Sequence, residues 1–254
     1  MMSGHSKWAT IKRSKGATDA KRGQLFTKIG HEIVVAVGEG GPNPDANFRL
    51  RLVLDKARRA NMPKANIERA IKRGSGALTG ERDLAECTYE AYGPHGIAIL
   101  ILALSENKNR TVSDVRRVLS RHGGNLGADG CVSWLFSRKG YLAIDPGDED
   151  AEEIALVAID AGAEDVEIGE GFVEVYTQVA DFGEVQEALS ASSYTTTSAG
   201  LSWVPQTTMS LGEAETVKAM KLLEALEELD DVQEVFSNLE IADEIIAKYE
   251  AQAA

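Results

Sequence analysis

Residues 140–178 read GYLAIDPGDEDAEEIALVAIDAGAEDVEIGEGFVEVYTQ. The run gives a strand at GYLAID, an acid-opened helix at DEDAEEIALVAIDAG, then two short strands at EDVEIG and FVEVYTQ. FGEVQEALSAS supplies a second helix and TTSAGLSWVP a fourth strand. Strand, helix, strand, strand, helix, strand is the order of a split βαβ or ferredoxin-like unit.

The flanks show where that unit belongs. Ahead of it, CTYEAYG, the turn PH and GIAILILAL predict a hairpin. Thr111 with Asp114 then predicts a capping box for a helix turning Val112, Val115, Val118 and Leu119 inward, and GGNLGADG breaks the chain. A hairpin plus one helix is an incomplete layer. The amphipathic helix EAETVKAMKLLEALEEL and the last strand VQEVFSNLEI are therefore expected to return and complete it, which makes 131–207 an insertion.

The first eighty residues follow a helical period instead. Phe26, Ile29, Ile33 and Val37 mark one face of a helix capped by Thr18, which ends at the breaker cluster GEGGPNP. In DANFRLRLVLDKARRAN, Leu50, Val53, Leu54 and Ala57 share a face while Arg49, Arg51, Lys56, Arg58 and Arg59 project elsewhere. A third helix runs from Pro63 to Gly74, with Lys72 and Arg73 in its last turn and Gly74 as its cap. SGALTGERD, 75–83, reads as a linker. The expected fold is α+β with three domains: a basic arm and helical bundle at 1–82, a discontinuous α/β domain from 83–130 with 208–254, and an acidic ferredoxin-like domain at 131–207 inserted in the second.

Charge sharpens this division. The 254 residues carry a net charge of −13, yet residues 1–82 stand at +10 and residues 83–254 at −23. A basic head on an acidic body points to a polyanionic partner for the head. The longest apolar run, GIAILILAL, has strand length and is too short to span a membrane, and the basic start lacks the apolar core of a signal peptide. A cytoplasmic protein with no membrane partner is expected. The two cysteines, Cys87 and Cys131, lie outside any CxxC or Cys/His spacing and are expected to be small buried apolar residues.

Catalytic patterns are missing from the sequence. HEIVV offers His31 and Glu32 without the second histidine of an HExxH site, so His31 is expected to be a surface or packed helix residue. GSGALTG and GGNLGADG fit neither phosphate-loop spacing, no GxSxG elbow occurs, and the acidic runs DPGDEDAEE and EALEELDD do not follow a calcium-loop pattern. The expectation is a non-enzyme without metal or cofactor.

The arm carries the chemistry that is present. In SGHSKWATIKRSKGATDAKRG, residues 3–23, Lys7, Lys12, Arg13, Lys15, Lys21 and Arg22 can neutralise phosphates, and Ser3, Ser6, Thr10 and Ser14 can donate to phosphate or sugar oxygens. His5 and Trp8 offer flat rings for unpaired bases, each stacking contact being worth about 1–3 kcal/mol. The competing reading is a solubilising tail with Trp8 docked on the protein's own core. A second basic patch, Lys108, Arg110, Arg116, Arg117 and Arg121, lies on or beside the helix at 111–122. It either extends the binding surface or is an ordinary solvated helix face.

These strings resemble a known family. GHSKWATIKRSKGATDAKRGQLFTKI, GGPNPDANFRLR, NMPKANIERAIKRG, YEAYGPHG, NKNRTVSDVRRVLSRHGGNLGADGCVSWLF and DDVQEVFSN are similar, over nearly the whole chain, to the YebC/PmpR family, whose mitochondrial relatives activate translation of cytochrome oxidase. The resemblance implies three domains, a helical first and two α/β, with the third inserted in the second. It also implies a nucleic-acid-binding regulator of gene expression, customarily a DNA-binding regulator of transcription. Other members are regarded as ribosome-associated factors that contact rRNA or tRNA and relieve stalling on proline-rich stretches. By resemblance the binding role falls on His5, Ser6, Lys7, Trp8, Lys12, Arg13, Lys15, Lys21, Arg22 and Lys28. The chain departs from the family at Gly16, Ala91, His95 and Cys131, where Ala, Gly, Gly and Ser are usual. His95 therefore stands where a bare glycine turn is expected.

Overall fold

The computed structural model describes residues 19–76, 84–169, 171–192, 194–242, 244–246 and 248–249. The expected Thr18 cap and most of the expected linker lie outside them.

Three helices open the described chain. In α1 (Asp19–Gly40), Ile29, Ile33 and Val37 are buried with Phe26 packed beside them, as the spacing predicts. Gly41, at φ +81°, ends it in the left-handed conformation that glycine adopts without steric cost. Asn47 then joins two elements. Its carboxamide oxygen accepts from Leu50 N at 3.0 Å, capping α2 (Phe48–Arg59), and its amide donates to the carbonyls of Ala36 at 2.7 Å and Gly41 at 2.9 Å. Leu50, Val53, Leu54 and Ala57 are all buried against α1.

The third helix, α3 (Lys64–Gly74), corrects one expectation. Gly74 is not the cap: the helix runs through it, Ser75 follows as the C-cap, and Gly76 takes the positive φ of +72°. Gly74 is instead a close-approach residue, since a Cβ there would stand 2.6 Å from the Val34 carbonyl oxygen and 2.8 Å from the Val37 Cβ.

The chain then turns to sheet. β1 (Ala85–Tyr92) and β2 (Ala98–Ser105) form an antiparallel hairpin around a short 3-10 turn, Pro94–Gly96. Next come α4 (Lys108–Arg121) and β3 (Asn125–Leu126). The capping box expected at Thr111 and Asp114 does not start α4. Asn107 caps it, accepting from Arg110 N at 3.2 Å, and Thr111 is buried inside the first turn. Cys87 and Cys131 are free thiols, half-buried rather than fully buried: Cys87 lies on the part of β1 where half-buried and exposed residues alternate.

Residues Leu135–Thr207 form a compact unit of their own. It runs β4 (Phe136–Asp145), α5 (Ala151–Asp160), β5 (Asp165–Gly169), β6 (Phe172–Thr177), α6 (Phe182–Ala191) and β7 (Thr195–Pro205). The sheet order is β5-β6-β4-β7 with every neighbour antiparallel, the ferredoxin-like arrangement the element order predicts. Leu142, Ile144, Val173 and Val175 of the sheet are buried, as are Ile154 and Ala158 of α5 and Phe182, Val185 and Leu189 of α6. β4 starts earlier than the GYLAID reading, because Phe136 already pairs with Pro205.

After this unit the chain returns to the first sheet. β8 (Met209–Ser210), α7 (Glu213–Glu227), β9 (Val232–Ser237) and β10 (Leu239–Glu240) follow, and β9 pairs antiparallel with β2 to give the order β3-β1-β2-β9. That return makes β2 an inner strand, which accounts for its nearly unbroken apolar run. Val115 and Leu119 of α4 and Leu222, Leu223 and Leu226 of α7 share one buried cluster with Ile97, Ile99, Ile101 and Val235. The expected single last strand is two: β10 leaves β9 and pairs parallel with β8. The α+β class and the inserted ferredoxin-like unit stand as expected.

Candidate nucleic-acid interface

Of the residues given a binding role, His5, Ser6, Lys7, Trp8, Lys12, Arg13 and Lys15 lie outside the described residues. Lys21 and Arg22 are described and exposed, on the first turns of α1. Lys28 is placed otherwise. It is 8% exposed, and its ammonium donates to the carbonyl of Glu227 at 2.5 Å, at the C-terminal end of α7. Gln24, one turn earlier, donates to the Glu228 carbonyl at 2.5 Å and to Asp230 Oδ1 at 3.2 Å. A cation beside the last carbonyls of a helix is favoured by its dipole, so this face of α1 seats the helical bundle on α7.

The other cations of the bundle divide in the same way. Arg49 bonds Glu39 at 2.6 Å and also Glu86 of β1; Arg73 pairs with Glu106 at 2.5 Å, just ahead of α4; and Lys56 pairs with Glu32 at 2.7 Å. These hold the bundle together or fasten it to the sheet. Arg51, Arg59, Arg69 and Lys72 stay exposed with no ion pair among the described residues, and the Arg51 guanidinium lies 5.8 Å from the centre of the Phe48 ring.

The second patch is split too. Arg110 gives both carboxylate oxygens of Asp231 a bond at 3.0 Å, and Arg117 pairs with Asp114 at 2.8 Å. Lys108, Arg116 and Arg121 are exposed without an ion pair among the described residues. The structure brings parts of the two basic regions to one loop. Residues 228–231 touch α1 through Gln24 and α4 through Asp231, which also accepts from Thr111 at 2.6 Å.

Sequence reasoning missed Gln24, Asp231 and Glu90. Asp231 sits in an acidic run that reads as a solvated face, and nothing local in the sequence marks it as a partner for Arg110. Glu90 is 7% exposed and accepts three backbone bonds, from Gly130 at 2.7 Å, Val132 at 2.6 Å and Ser133 at 2.8 Å. It fixes the loop that carries Trp134, which is 67% exposed. Among the described residues, no group of three or more His, Cys, Asp or Glu is placed to hold a metal ion, and no helix is long and apolar enough to cross a membrane.

Fold and surface together define a class: a cationic three-helix bundle seated on an α+β body that carries an inserted ferredoxin-like unit. The chain belongs to the TACO1/YebC family, matching its N-terminal domain over residues 6–77 and its second and third domains over residues 84–239. It is 50% identical over 252 residues to a Dehalococcoides mccartyi protein named "Probable transcriptional regulatory protein", covering 99% of this chain and 100% of that one. A protein of the same name from Aquifex aeolicus is 50% identical over 248 residues, covering 97% and 99%. The crystal structure of a conserved hypothetical protein from Aquifex aeolicus superposes with a TM-score of 0.86 at 48% identity, over 93% of this chain and 98% of that one.

Proposed function

We propose that this chain is a nucleic-acid-binding regulator of gene expression, acting in the cytoplasm through its basic arm and helical bundle and not as a catalyst. The observation that carries the reading is the charge division, +10 over residues 1–82 against −23 beyond, with exposed cations remaining on α1, α2 and α3 after the structural ion pairs are counted out. The names of its relatives, probable transcriptional regulatory proteins, support regulation of transcription by DNA binding. Lys7, Lys12, Arg13, Lys15, Lys21 and Arg22 supply the phosphate contacts, with Lys108, Arg116 and Arg121 as an extension.

A second reading is favoured by the arm's aromatics. His5 and Trp8 among glycines suit unpaired bases better than a major groove, which a helix would normally enter, so ribosomal or transfer RNA is the alternative partner.

The test compares duplex DNA and ribosomes as ligands at physiological salt, using the intact chain and a Lys7→Glu, Lys12→Glu, Arg13→Glu variant. Sequence-selective DNA binding lost in the variant is the expected result for a transcriptional regulator. Ribosome association without sequence-selective DNA binding would replace it with the second reading, and normal binding of both ligands by the variant would remove the arm from the interface.

A further inference from the structure

Between α1 and α3 lies an open groove of about 370 Å³, within the range of small-ligand sites. Phe26, Val34 and Met62 are its large apolar lining residues. The groove stays open partly because position 30 is glycine: a Cβ there would have only the Met62 methyl within 4 Å, at 3.9 Å. Thr27, His31, Asn66, Arg69 and Arg73 add polar side chains to the lining, Arg73 being held by Glu106. Arg69 is exposed with no ion pair among the described residues, and Asn66 makes no side-chain hydrogen bond among them. His31 also lines the groove, but its Nδ1 is buried from solvent and has no hydrogen-bond partner among the described residues. Burial, and then the charge of Arg73, holds the imidazole below its ordinary pKa of 6.5, which disfavours a positive charge on it.

A slot lined by apolar side chains, an amide and an exposed guanidinium with no ion pair among the described residues matches one chemistry well. A flat heterocycle can lie against these apolar side chains, its edge can bond the Asn66 amide, and a phosphate beside it can meet Arg69. We infer that this groove receives a single unpaired nucleotide of a nucleic-acid strand, base inward and phosphate on Arg69. A base within a duplex has its edge paired and its faces stacked, so the groove selects single-stranded or flipped-out nucleotides. The inference rests on the proposed nucleic-acid reading and adds to it a site in the bundle, separate from the arm.

The test uses the full chain with methyl-labelled methionine, titrated with a single-stranded RNA nonamer, the matching DNA nonamer and the corresponding duplex. The Met62 methyl signal is expected to move saturably with the single strands, while those of Met209 and Met220 stay in place. An Asn66→Ala, Arg69→Ala variant should lose about tenfold in single-strand affinity and less than twofold for duplex. Gly30→Leu, at a helical position where a side chain is allowed, should fill the groove and block the Met62 response. The RNA and DNA arms report which strand supplies the nucleotide, and saturable movement with either one supports the site. Tight single-strand binding with Met62 unmoved and both variants unaffected would overturn the groove and leave the arm reading intact. A chain that binds no nucleic acid in any form would overturn both.

Discussion

The buried ammonium of Lys28 donates to the main-chain carbonyl of Glu227, joining the inner face of α1 to the C-terminal end of α7 at 2.5 Å. This is a charge-assisted bond, and such bonds contribute about 1.5–3 kcal/mol. Lys28→Ala should therefore lower stability by about 2 kcal/mol, read as a lower urea midpoint. Nucleic-acid affinity of the folded variant should change less than twofold, with an unchanged salt slope, because a side chain bonded inside the protein releases no counterion. An unchanged midpoint with a shallower slope would return Lys28 to the binding surface.

Asp231 makes the corresponding joint on the α4 side. Its carboxylate receives Arg110 twice at 3.0 Å and Thr111 at 2.6 Å, with its own side chain 12% exposed. Asp231→Ala removes the carboxylate shared by Arg110 and Thr111, although the Thr111 hydroxyl keeps Ser105 Oγ at 2.6 Å and the Asn107 carbonyl at 3.2 Å, and should cost about 2 kcal/mol, while Arg110→Ala, whose side chain is 57% exposed, should cost less than about 1 kcal/mol. Equal losses from the two would show that the arginine, not the buried acceptor, dominates.

The difference between these two residues also shows what the sequence can carry. Periodicity located Leu50, Val53, Leu54 and Ala57 as one buried face, and element order alone produced the ferredoxin-like unit, because both follow from local patterns. Lys28, Arg110 and Arg73 are the same residue types as Lys21, Arg116 and Arg69. What separates them is a carboxylate or carbonyl that is remote in the chain, 199 residues away for Lys28 and 121 for Arg110. A charge count therefore found the basic head correctly but could not divide its cations into structural and solvent-facing sets. The Asn107 cap was missed for a smaller reason. Thr111 and Asp114 satisfy a capping pattern, but the Asn107 carboxamide already accepts from Arg110 N, so the helix starts at Lys108 and the Thr111 hydroxyl bonds the remote Asp231.

His95 is the residue in the hairpin turn with φ +61° and ψ 14°. For a side chain this left-handed conformation costs about 1–2 kcal/mol, part of which glycine returns as unfolded-state entropy. Its imidazole stands 3.6 Å from Glu215, with both side chains about two-fifths exposed, so the pair compensates little. His95→Gly should raise stability by about 0.5–1 kcal/mol, and His95→Val, β-branched in the same conformation, should lower it. The urea midpoints should fall in the order glycine, histidine, valine; a destabilised glycine variant would mean that the Glu215 contact outweighs the backbone cost.

Glu90 makes stability depend on acidity. Burial alone would raise its pKa, but the bonds from the Val132, Gly130 and Ser133 amides act the other way and together hold it below its ordinary 4.5. A folded-state pKa below the unfolded one means that the unfolded chain takes up the proton first. The carboxylate's contribution is thus complete above about pH 4.5 and is lost as pH falls through the lower folded value. Glu90→Gln keeps the shape but turns N–H groups toward N–H donors, so it should cost about 2–3 kcal/mol at pH 7. The gap between wild type and Glu90→Gln should stay constant from pH 6 to 8 and narrow below about pH 4.5. Hydrogen exchange at the Val132 and Ser133 amides should accelerate in the variant, since those donors lose their acceptor while the β1–β2 pairing is untouched. A gap that widened as the pH fell would mean that the buried group gains its proton in the folded state first, and the three-amide clamp would then not be what holds the Trp134 loop.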